Sequence, residues 1–233
     1  MADPLSTYQL DTTVKITSGS DHTLSATIIQ QLQVDLTINA CPVVEIQVHD
    51  VDPSSPEGKS LLPSVVAKVY DYHFLRNPMN TKPRDPHEYP LELCVREAVA
   101  YKSLGESDKV KKHLAPYHGP CILEFNKDAC EYPAILLGVC EGWSPAGFSH
   151  ADANNLVIEL TKVIDECHRL GFTHGDLRLR NLLIISDKGD FIILDWANSI
   201  HKENHSRELF NDECIKDKIR LGQLAKQLTS PNA

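Results

Sequence analysis

Three residues with the spacing H-x-D-x-x-x-x-N lie close together in the second half of this chain, and an aspartate follows them. They are His174, Asp176 and Asn181, and Asp195 comes directly after the apolar run Phe191 to Leu194. A carboxylate in a loop can accept the proton of an attacking hydroxyl. An amide and a second carboxylate can hold Mg²⁺ against nucleotide phosphates. The spacing therefore predicts a phosphoryl-transfer site with Asp176 as the base and with Asn181 and Asp195 as metal ligands.

Two short apolar runs would position these side chains. Leu182 to Ile185 and Phe191 to Leu194 are rich in β-branched and apolar residues, and Ser186 to Asp190 between them contains a glycine for a tight turn. The pattern predicts a β-hairpin. This hairpin would carry Asn181 at the start of its first strand and Asp195 at the end of its second, side by side.

The stretch HGDLRLRN, followed by DWA, resembles the catalytic loop and the metal-binding segment of the protein-kinase-like superfamily, which includes aminoglycoside-type small-molecule kinases. The resemblance implies an α+β, bilobal protein-kinase-like fold with a β-rich N-lobe and a shortened helical C-lobe. It implies ATP and Mg²⁺ as cofactors, Asp176 and Asn181 as catalytic residues, and Asn181 and Asp195 as metal ligands. Arg178 lies where protein kinases often place a lysine near the γ-phosphate, so it either neutralises developing charge there or is solvated.

Two further residues match the nucleotide-binding half of this superfamily. Lys68 lies inside the β-prone run Ser64 to Tyr70, and the resemblance implies a strand lysine that pairs with the α and β phosphates. An edge-strand lysine in solvent is the alternative. Glu97 lies in the helical segment Leu91 to Leu104 and would supply the carboxylate that orients Lys68, because an unpaired ammonium in a closed site is costly.

The run Ala134 to Val139 resembles the strand that leads into the hinge between the two lobes of a kinase. On that alignment Leu137 is the gatekeeper, and the Gly138 carbonyl and the Cys140 amide bind the adenine edge. Backbone groups need no particular side chain, so only the position along the chain supports this assignment.

The order of the predicted elements, β-β-β-α-β-β-α-loop-β-β, matches an N-lobe and the first part of a C-lobe. Residues 1–25 are polar and are assigned to an N-terminal extension. Residues 26–233 are assigned to the kinase-like domain, with the N-lobe at about 26–138 and a truncated C-lobe at about 142–233. No A-P-E motif follows Asp195, and Gly175 replaces the usual arginine, so control by a phosphorylated activation loop is not expected.

The glycine-rich loop that often joins the first two strands in this superfamily has no counterpart in the sequence. No glycine occurs between Gly19 and Gly58. The turn Asn39 to Pro42 therefore cannot approach phosphates with bare backbone, and Ser18-Gly19-Ser20 is either an ordinary turn or a substitute. This departure favours the alternative hypothesis, a catalytically weak or inactive pseudokinase that acts as a binding or scaffold module.

Composition excludes several other classes of protein. With 42% hydrophobic residues the chain can bury a core, and a net charge of −9 argues against nucleic acid and anionic lipid as partners. No segment reaches the roughly 18 apolar residues of a membrane span, and the N-terminus lacks the pattern of a signal peptide. Seven cysteines without a C-x-x-C motif favour reduced thiols. We therefore expect a soluble, cytoplasmic protein.

Taken together, the residues predict an ATP- and Mg²⁺-dependent kinase whose acceptor is a protein Ser/Thr hydroxyl or a small-molecule hydroxyl. His174 is predicted to be a packed histidine that organises the loop, because partner ligands at zinc spacing are absent. Arg180 is predicted to be a surface or pairing residue. A DNA-binding function has no basic stripe to support it.

Overall fold

The structure, a computed structural model, describes most of the chain. The described residues are 8–18, 23–33, 41–49, 64–74, 88–125, 130–145, 150–186 and 189–229. The predicted turns and loops that lie wholly or partly outside them are Ser18-Gly19-Ser20, Asn39 to Pro42 and Ser186 to Asp190. The chain divides into two compact units, Met1–Ala98 with Pro116–Val139 and Val99–Ala115 with Cys140–Ala233.

Six strands form a closed antiparallel barrel in the first unit. They are β1 (Thr13–Thr17), β2 (Thr23–Gln33), β3 (Val43–His49), β4 (Ser64–Val69), β5 (Tyr117–Phe125) and β6 (Glu131–Gly138). Their order around the barrel is β1-β2-β3-β4-β6-β5. The barrel closes because β1 pairs with β2 along one edge and with β5 along the other.

Side chains that point inward from the strands fill the barrel. In β3 burial alternates from residue to residue, with Val44, Ile46 and Val48 buried, because successive side chains of a strand point to opposite faces. The ring of Tyr8 packs edge-to-face on Phe125, with the ring centroids 5.1 Å apart. Full burial of one such apolar side chain stabilises the fold by about 1.5–3 kcal/mol. The barrel therefore has its own hydrophobic core.

The predicted bilobal protein-kinase-like fold is wrong. The β-rich part is a closed six-stranded barrel, and the described residues contain only four α-helices in addition to it. The difference originates in β1, whose side chains alternate between exposed and buried and whose backbone pairs with both β2 and β5. Five residues of weak alternation do not reveal from sequence that a segment has two strand partners. The predicted domain limits remain a prediction.

The helix α1 (Glu88–Leu104) starts in the first unit and ends in the second. It contains the helix predicted at Leu91 to Leu104. Cys94, Glu97 and Ala98 are buried, and they share one face because residues three and four apart are neighbours on a helix. Glu97 is therefore buried on this face of the helix.

The second unit contains three more helices and a hairpin. They are α2 (Asp108–Lys111), α3 (His150–Leu170), α4 (Arg207–Thr229), β7 (Leu182–Ile184) and β8 (Phe191–Ile193). The predicted hairpin is confirmed, with Leu182 opposite Ile193. Gly171 ends α3 with a φ of 94° and donates its N–H to the His168 carbonyl at 3.0 Å. None of the helices in the described part of the chain has an apolar stretch of the length that crosses a bilayer.

Candidate functional site

The loop between α3 and β7 carries His174, Asp176 and Asn181, and the structure brings the three together. The Asn181 Nδ2 group donates to the Asp176 backbone carbonyl at 2.7 Å and to its carboxylate Oδ2 at 3.3 Å. The Asp176 N–H donates to His174 Nδ1 at 3.1 Å. Asp176 and Asn181 are 6% and 5% exposed. These hydrogen bonds hold the Asp176 carboxylate in a fixed position.

Both oxygens of the Asp176 carboxylate meet an arginine. Arg178 Nε lies 2.6 Å from Oδ1, and Arg180 Nη2 lies 3.1 Å from Oδ2. The two arginine side chains are 59% and 51% exposed. Arg180 is thus a pairing residue, one of the two roles that its sequence position left open. The role of Arg178 towards a γ-phosphate stays a prediction.

His174 is fully buried, and its hydrogen bonds define its tautomer. Nδ1 accepts the Asp176 N–H, so the ring proton lies on Nε2, which donates to the Leu194 carbonyl at 3.0 Å. Burial lowers the pKa of His174 and outweighs the carboxylates Asp217 and Asp195, which favour the charged form. The ring also packs on Trp196, with centroids 4.6 Å apart. The predicted role of His174 as a packed histidine that organises the loop agrees with these contacts.

Asn181 and Asp195 lie at neighbouring positions of the β7–β8 hairpin. The Leu194 N–H donates to the Asn181 carbonyl at 2.9 Å, one step beyond the pair Leu182 and Ile193. Asp195 is the next residue and has a φ of 65°, a left-handed conformation that aspartate adopts more readily than most non-glycine residues. The hairpin therefore delivers the two predicted metal ligands from adjacent strands.

The oxygen groups of these two residues fit a hard divalent cation. The Asn181 NH₂ group faces two acceptors of Asp176, so the Oδ1 oxygen lies on the opposite side of the amide. This oxygen and the Asp195 carboxylate are ligands of the kind that Mg²⁺ prefers. An all-oxygen pair leaves the remaining positions of an octahedral ion to water and phosphate.

Helix α4 contributes an aspartate that the sequence analysis missed. The fully buried Asp217 carboxylate accepts the N–H groups of His174 at 2.8 Å and Gly175 at 3.0 Å, and it contacts His168 Nε2 at 3.1 Å. Burial alone would raise the pKa of Asp217, but the hydrogen bonds from His168 and the two amides outweigh it and lower that pKa. Asp217 therefore connects the start of the loop between α3 and β7 to α4.

A signal for Asp217 is present in the sequence. Four buried positions of α4 recur at helical spacing, and Asp217 is the first of them, followed by Leu221, Leu224 and Leu228. An acid in the apolar stripe of a helix is rarely buried without partners. It therefore indicates a buried hydrogen-bond acceptor.

Gly175 is required by its surroundings. Its φ is 83°, and a Cβ at this position would lie 2.2 Å from the backbone oxygen of Asn198. Only glycine combines this conformation with such a close approach. The replacement of the usual arginine by Gly175 is therefore a structural feature of this loop.

In the first unit, Lys68 forms an ion pair with Glu97. The Lys68 side chain points outward from β4, because its neighbours Ala67 and Val69 belong to the barrel core. The Lys68 Nζ lies 2.5 Å from Glu97 Oε2, and the side chains are 10% and 0% exposed. The Tyr70 hydroxyl donates to the same oxygen. The structure thus brings the predicted pair together, while its role towards a nucleotide stays a prediction.

Tyr70 is the second residue that the sequence analysis missed. Burial, followed by the charge of Glu97, raises the pKa of Tyr70 well above its ordinary value, so the phenol remains a donor. The Tyr70 N–H donates to the Pro133 carbonyl at 2.8 Å. Tyr70 therefore helps to fix the Glu97 carboxylate on the outer face of the barrel.

The predicted adenine-binding residues lie at the end of β6 and just beyond it. Gly138 pairs with Val65 of β4 and donates its N–H to the Pro116 carbonyl at 2.7 Å. Leu137 is buried. Cys140 is half-buried, and burial raises the pKa of its thiol. Contacts of these residues with adenine stay a prediction.

Comparison with known proteins indicates a kinase-like relationship over part of the chain. No protein-family model matches it. It is 28% identical to the RIO-type serine/threonine-protein kinase Rio2 of Methanocaldococcus jannaschii over 72 residues, 31% of this chain and 26% of the relative. It is 27% identical to calcium-dependent protein kinase 11 of Arabidopsis thaliana over 97 residues, 39% of this chain and 20% of the relative. The chain thus spans about a quarter or less of the length of these relatives.

Proposed function

We propose that this protein is an ATP- and Mg²⁺-dependent phosphotransferase that transfers the γ-phosphate to a protein Ser/Thr hydroxyl or a small-molecule hydroxyl. One observation carries the proposal. The Asp176 carboxylate is buried and hydrogen-bonded to Asn181, and Asn181 lies beside Asp195 on the hairpin. The partial similarity to two protein kinases supports it.

In the proposed reaction the acceptor oxygen attacks the γ-phosphorus of ATP. The new O–P bond forms as the bond to the β,γ-bridging oxygen breaks, and ADP leaves with that electron pair. The acceptor proton passes to the Asp176 carboxylate. Asn181 and the His174 ring hold this carboxylate and its backbone in place, so the acceptor hydroxyl meets a base of fixed orientation.

Two residues would hold the metal ion. Asn181 Oδ1 and the Asp195 carboxylate provide oxygen ligands, and Mg²⁺, when bound, neutralises phosphate charge and orients the triphosphate. The hairpin sets the position of both ligands through the bond between the Leu194 N–H and the Asn181 carbonyl.

The nucleotide itself is assigned to Lys68 and to residues at the end of β6. Lys68 is proposed to pair with the α and β phosphates, and its position is set by the ion pair with Glu97 and the Tyr70 hydroxyl. Backbone groups of Gly138 and Cys140 are proposed to bind adenine.

Thermal shift and phosphate transfer together test this function. The melting temperature of the native protein should rise with ATP only when Mg²⁺ is present, because a ligand that binds the folded state stabilises it. Asp195→Ala should lose the shift. Asp176→Asn should keep it and lose transfer from γ-labelled ATP by about 10²–10⁴-fold. Asp190→Ala, an exposed aspartate in the hairpin turn, is the matched control and should behave as native.

Two results would count against the proposal. One is a native protein whose melting temperature does not respond to ATP and Mg²⁺. The other is an Asp176→Asn variant that turns over as fast as the native protein.

A second candidate function, a pseudokinase that acts as a binding module, is favoured by one observation. Both Asp176 oxygens are ion-paired with Arg178 and Arg180, so an acceptor hydroxyl must displace or share one of these contacts. Binding of ATP and Mg²⁺ by the native protein without any transfer or hydrolysis would support this candidate over the first.

A further inference from the structure

The charge around Asp176 is opposite in sign to the net charge of the chain. The whole protein carries a net charge of −9, yet in the loop one aspartate lies between two arginines. Arg178 meets Oδ1 and Arg180 meets Oδ2. These three residues sum to a net charge of +1, at the point where the proposed reaction places the acceptor hydroxyl.

Neither arginine uses its full set of donors on Asp176. A guanidinium has five N–H groups in a planar fork, and Arg178 meets the carboxylate through Nε while Arg180 meets it through Nη2. The Asp176 side chain is only 9% exposed, whereas both arginine side chains are more than half exposed. The outward N–H groups of both guanidinium groups are therefore accessible to a ligand.

Arg169, which precedes these arginines in the chain, pairs with a carboxylate in a different way. Arg169 on α3 donates hydrogen bonds from both Nε and Nη2 to the two oxygens of Glu166, each at 2.7 Å. The fork of Arg169 is therefore satisfied by both oxygens of one carboxylate, and Lys109 Nζ lies 3.8 Å from the same Glu166. At Asp176, two arginines share one carboxylate, so one positive charge is left without a counterion in the loop itself.

We infer that the acceptor carries an anionic group, a carboxylate or a phosphate, close to its reactive hydroxyl, and that Arg180 with Arg178 binds this group. The inference rests on the proposed phosphotransfer, because Asp176 then orients the hydroxyl between the two guanidinium groups. Arginine matches carboxylate and phosphate with paired N–H groups. An acidic peptide around Ser or Thr and a small phosphorylated alcohol both present this chemistry.

The family resemblance also gives Arg178 a role near the γ-phosphate, and the two roles are separable. An arginine that serves only the γ-phosphate changes the KM for ATP and treats all acceptors alike. An arginine that binds the acceptor anion changes the preference between charged and neutral acceptors. The ratio between a charged acceptor and its neutral counterpart is therefore the informative quantity.

The test measures acceptor binding by calorimetry with Mg²⁺ and a non-hydrolysable ATP analogue at saturation. One arm compares glycerol 3-phosphate with glycerol. The other compares a serine peptide flanked by glutamates with the same peptide flanked by glutamines. In at least one arm the anionic member should bind about tenfold tighter or more. The arm that responds identifies the source of the anion.

Variants connect the preference to the arginines. Arg180→Gln should reduce the preference to within about threefold, and Arg180→Lys, which keeps the charge, should retain part of it. Arg169→Gln removes one positive charge from α3 and should leave the preference unchanged. Melting temperatures of all three variants verify that they are folded.

The outcomes separate this inference from the proposed function. No anionic preference in either arm, or a preference that persists in Arg180→Gln, overturns the inference, and Mg²⁺-dependent ATP hydrolysis by the same preparation then shows that phosphotransfer stands. A native protein without Mg²⁺-dependent ATP binding overturns the proposed function and the inference with it.

Discussion

His174 connects the loop between α3 and β7 to the segment that leads from β8 to Asp195, the proposed metal ligand. Its Nδ1 accepts the Asp176 N–H and its Nε2–H donates to the Leu194 carbonyl. A proton added to Nδ1 would face the Asp176 N–H, so two donors would meet and the hydrogen bond between them would be lost. The loop therefore depends on a neutral imidazole, in agreement with the lowered pKa of the buried ring.

This dependence predicts a loss of stability in mild acid. Because the pKa of His174 is lowered by burial, the unfolded chain binds a proton near its ordinary pKa of about 6.5 while the folded chain does not. The free energy of unfolding should thus fall as pH falls below about 6.5. His113 and His118, whose pKa values burial also lowers, add to the slope.

Urea unfolding at about pH 7.5 and about pH 5.5 measures the effect. His174→Gln should reduce the pH-dependent loss relative to the native protein. His205→Gln, at an exposed position, is the control. An equal loss in the native protein and in His174→Gln would contradict the prediction.

Gly175 offers a test of conformation at one residue. Gly175→Ala should lower the free energy of unfolding by at least about 2 kcal/mol, because it adds a left-handed residue and a collision with the Asn198 backbone. Gly189→Ala, with a φ of 84° and no atom within 4 Å of the added Cβ, should cost only about 1–2 kcal/mol. Gly222→Ala in α4, also unobstructed, should stabilise by about 0.5–1 kcal/mol. Chemical denaturation of the three variants measures all three values, and equal losses for Gly175 and Gly189 would refute the steric argument.

Among the elements, α4 holds the loop between α3 and β7 through one side chain. Asp217 accepts two backbone N–H groups at the start of the loop between α3 and β7 and contacts His168 near the end of α3. Partners from α3, from the loop and from α4 itself, where Arg220 Nη1 lies 3.4 Å from Oδ1, converge on this buried carboxylate. A single side chain therefore holds α3, α4 and the loop together. This explains how the second unit positions Asp176.

Removal of this carboxylate should therefore affect both stability and activity. Asp217→Ala leaves the His174 and Gly175 amides without their acceptor, and the expected loss is about 3 kcal/mol of unfolding free energy, with reduced phosphotransfer. Asp212→Ala, at an exposed position of the same helix, should change stability by less than about 0.5 kcal/mol. Denaturant titration and transfer assays measure the two effects. A native-like Asp217→Ala variant would disprove the proposed anchoring.

At the scale of the whole molecule, closure of the barrel depends on β1. Its buried face carries Val14 and Ile16, and its two edges pair with β2 and β5. Without β1, both neighbouring strands would present unpaired edges. The N-terminal segment that the sequence assigned to an extension thus contributes to the core of the first unit.

Matched substitutions on the two faces of β1 test this contribution. Ile16→Ala should lower the unfolding free energy by about 2–5 kcal/mol, since it opens a cavity in the barrel core. Lys15→Ala removes an exposed ion pair with Glu124 at 3.0 Å and should cost less than about 1 kcal/mol. The melting temperature and denaturant midpoint measure both. A similar small effect from both variants would mean that β1 is not part of the stable barrel.

Local patterns were sufficient to predict the elements that carry the candidate site. The spacing of His174, Asp176 and Asn181, the hairpin that follows them, and the helix that precedes them depend on residues close together in the chain. Strand alternation, helical periodicity and glycine turns act over that range. The Lys68–Glu97 pair was predicted from the family resemblance and from the order of elements.

The closed barrel, the buried Asp217 anchor and the hydrogen bond from Tyr70 to Glu97 were decided only by the tertiary structure. Each joins residues that are distant in sequence, and each depends on which surfaces pack together. A short polar-looking strand becomes part of a core only when two partners flank it, and an acid becomes a buried acceptor only when amides meet it. By itself, the sequence determined the chemical groups and the local elements that carry them, because these depend on neighbouring residues. Packing across the fold determined the strand order and the contacts that fix those groups.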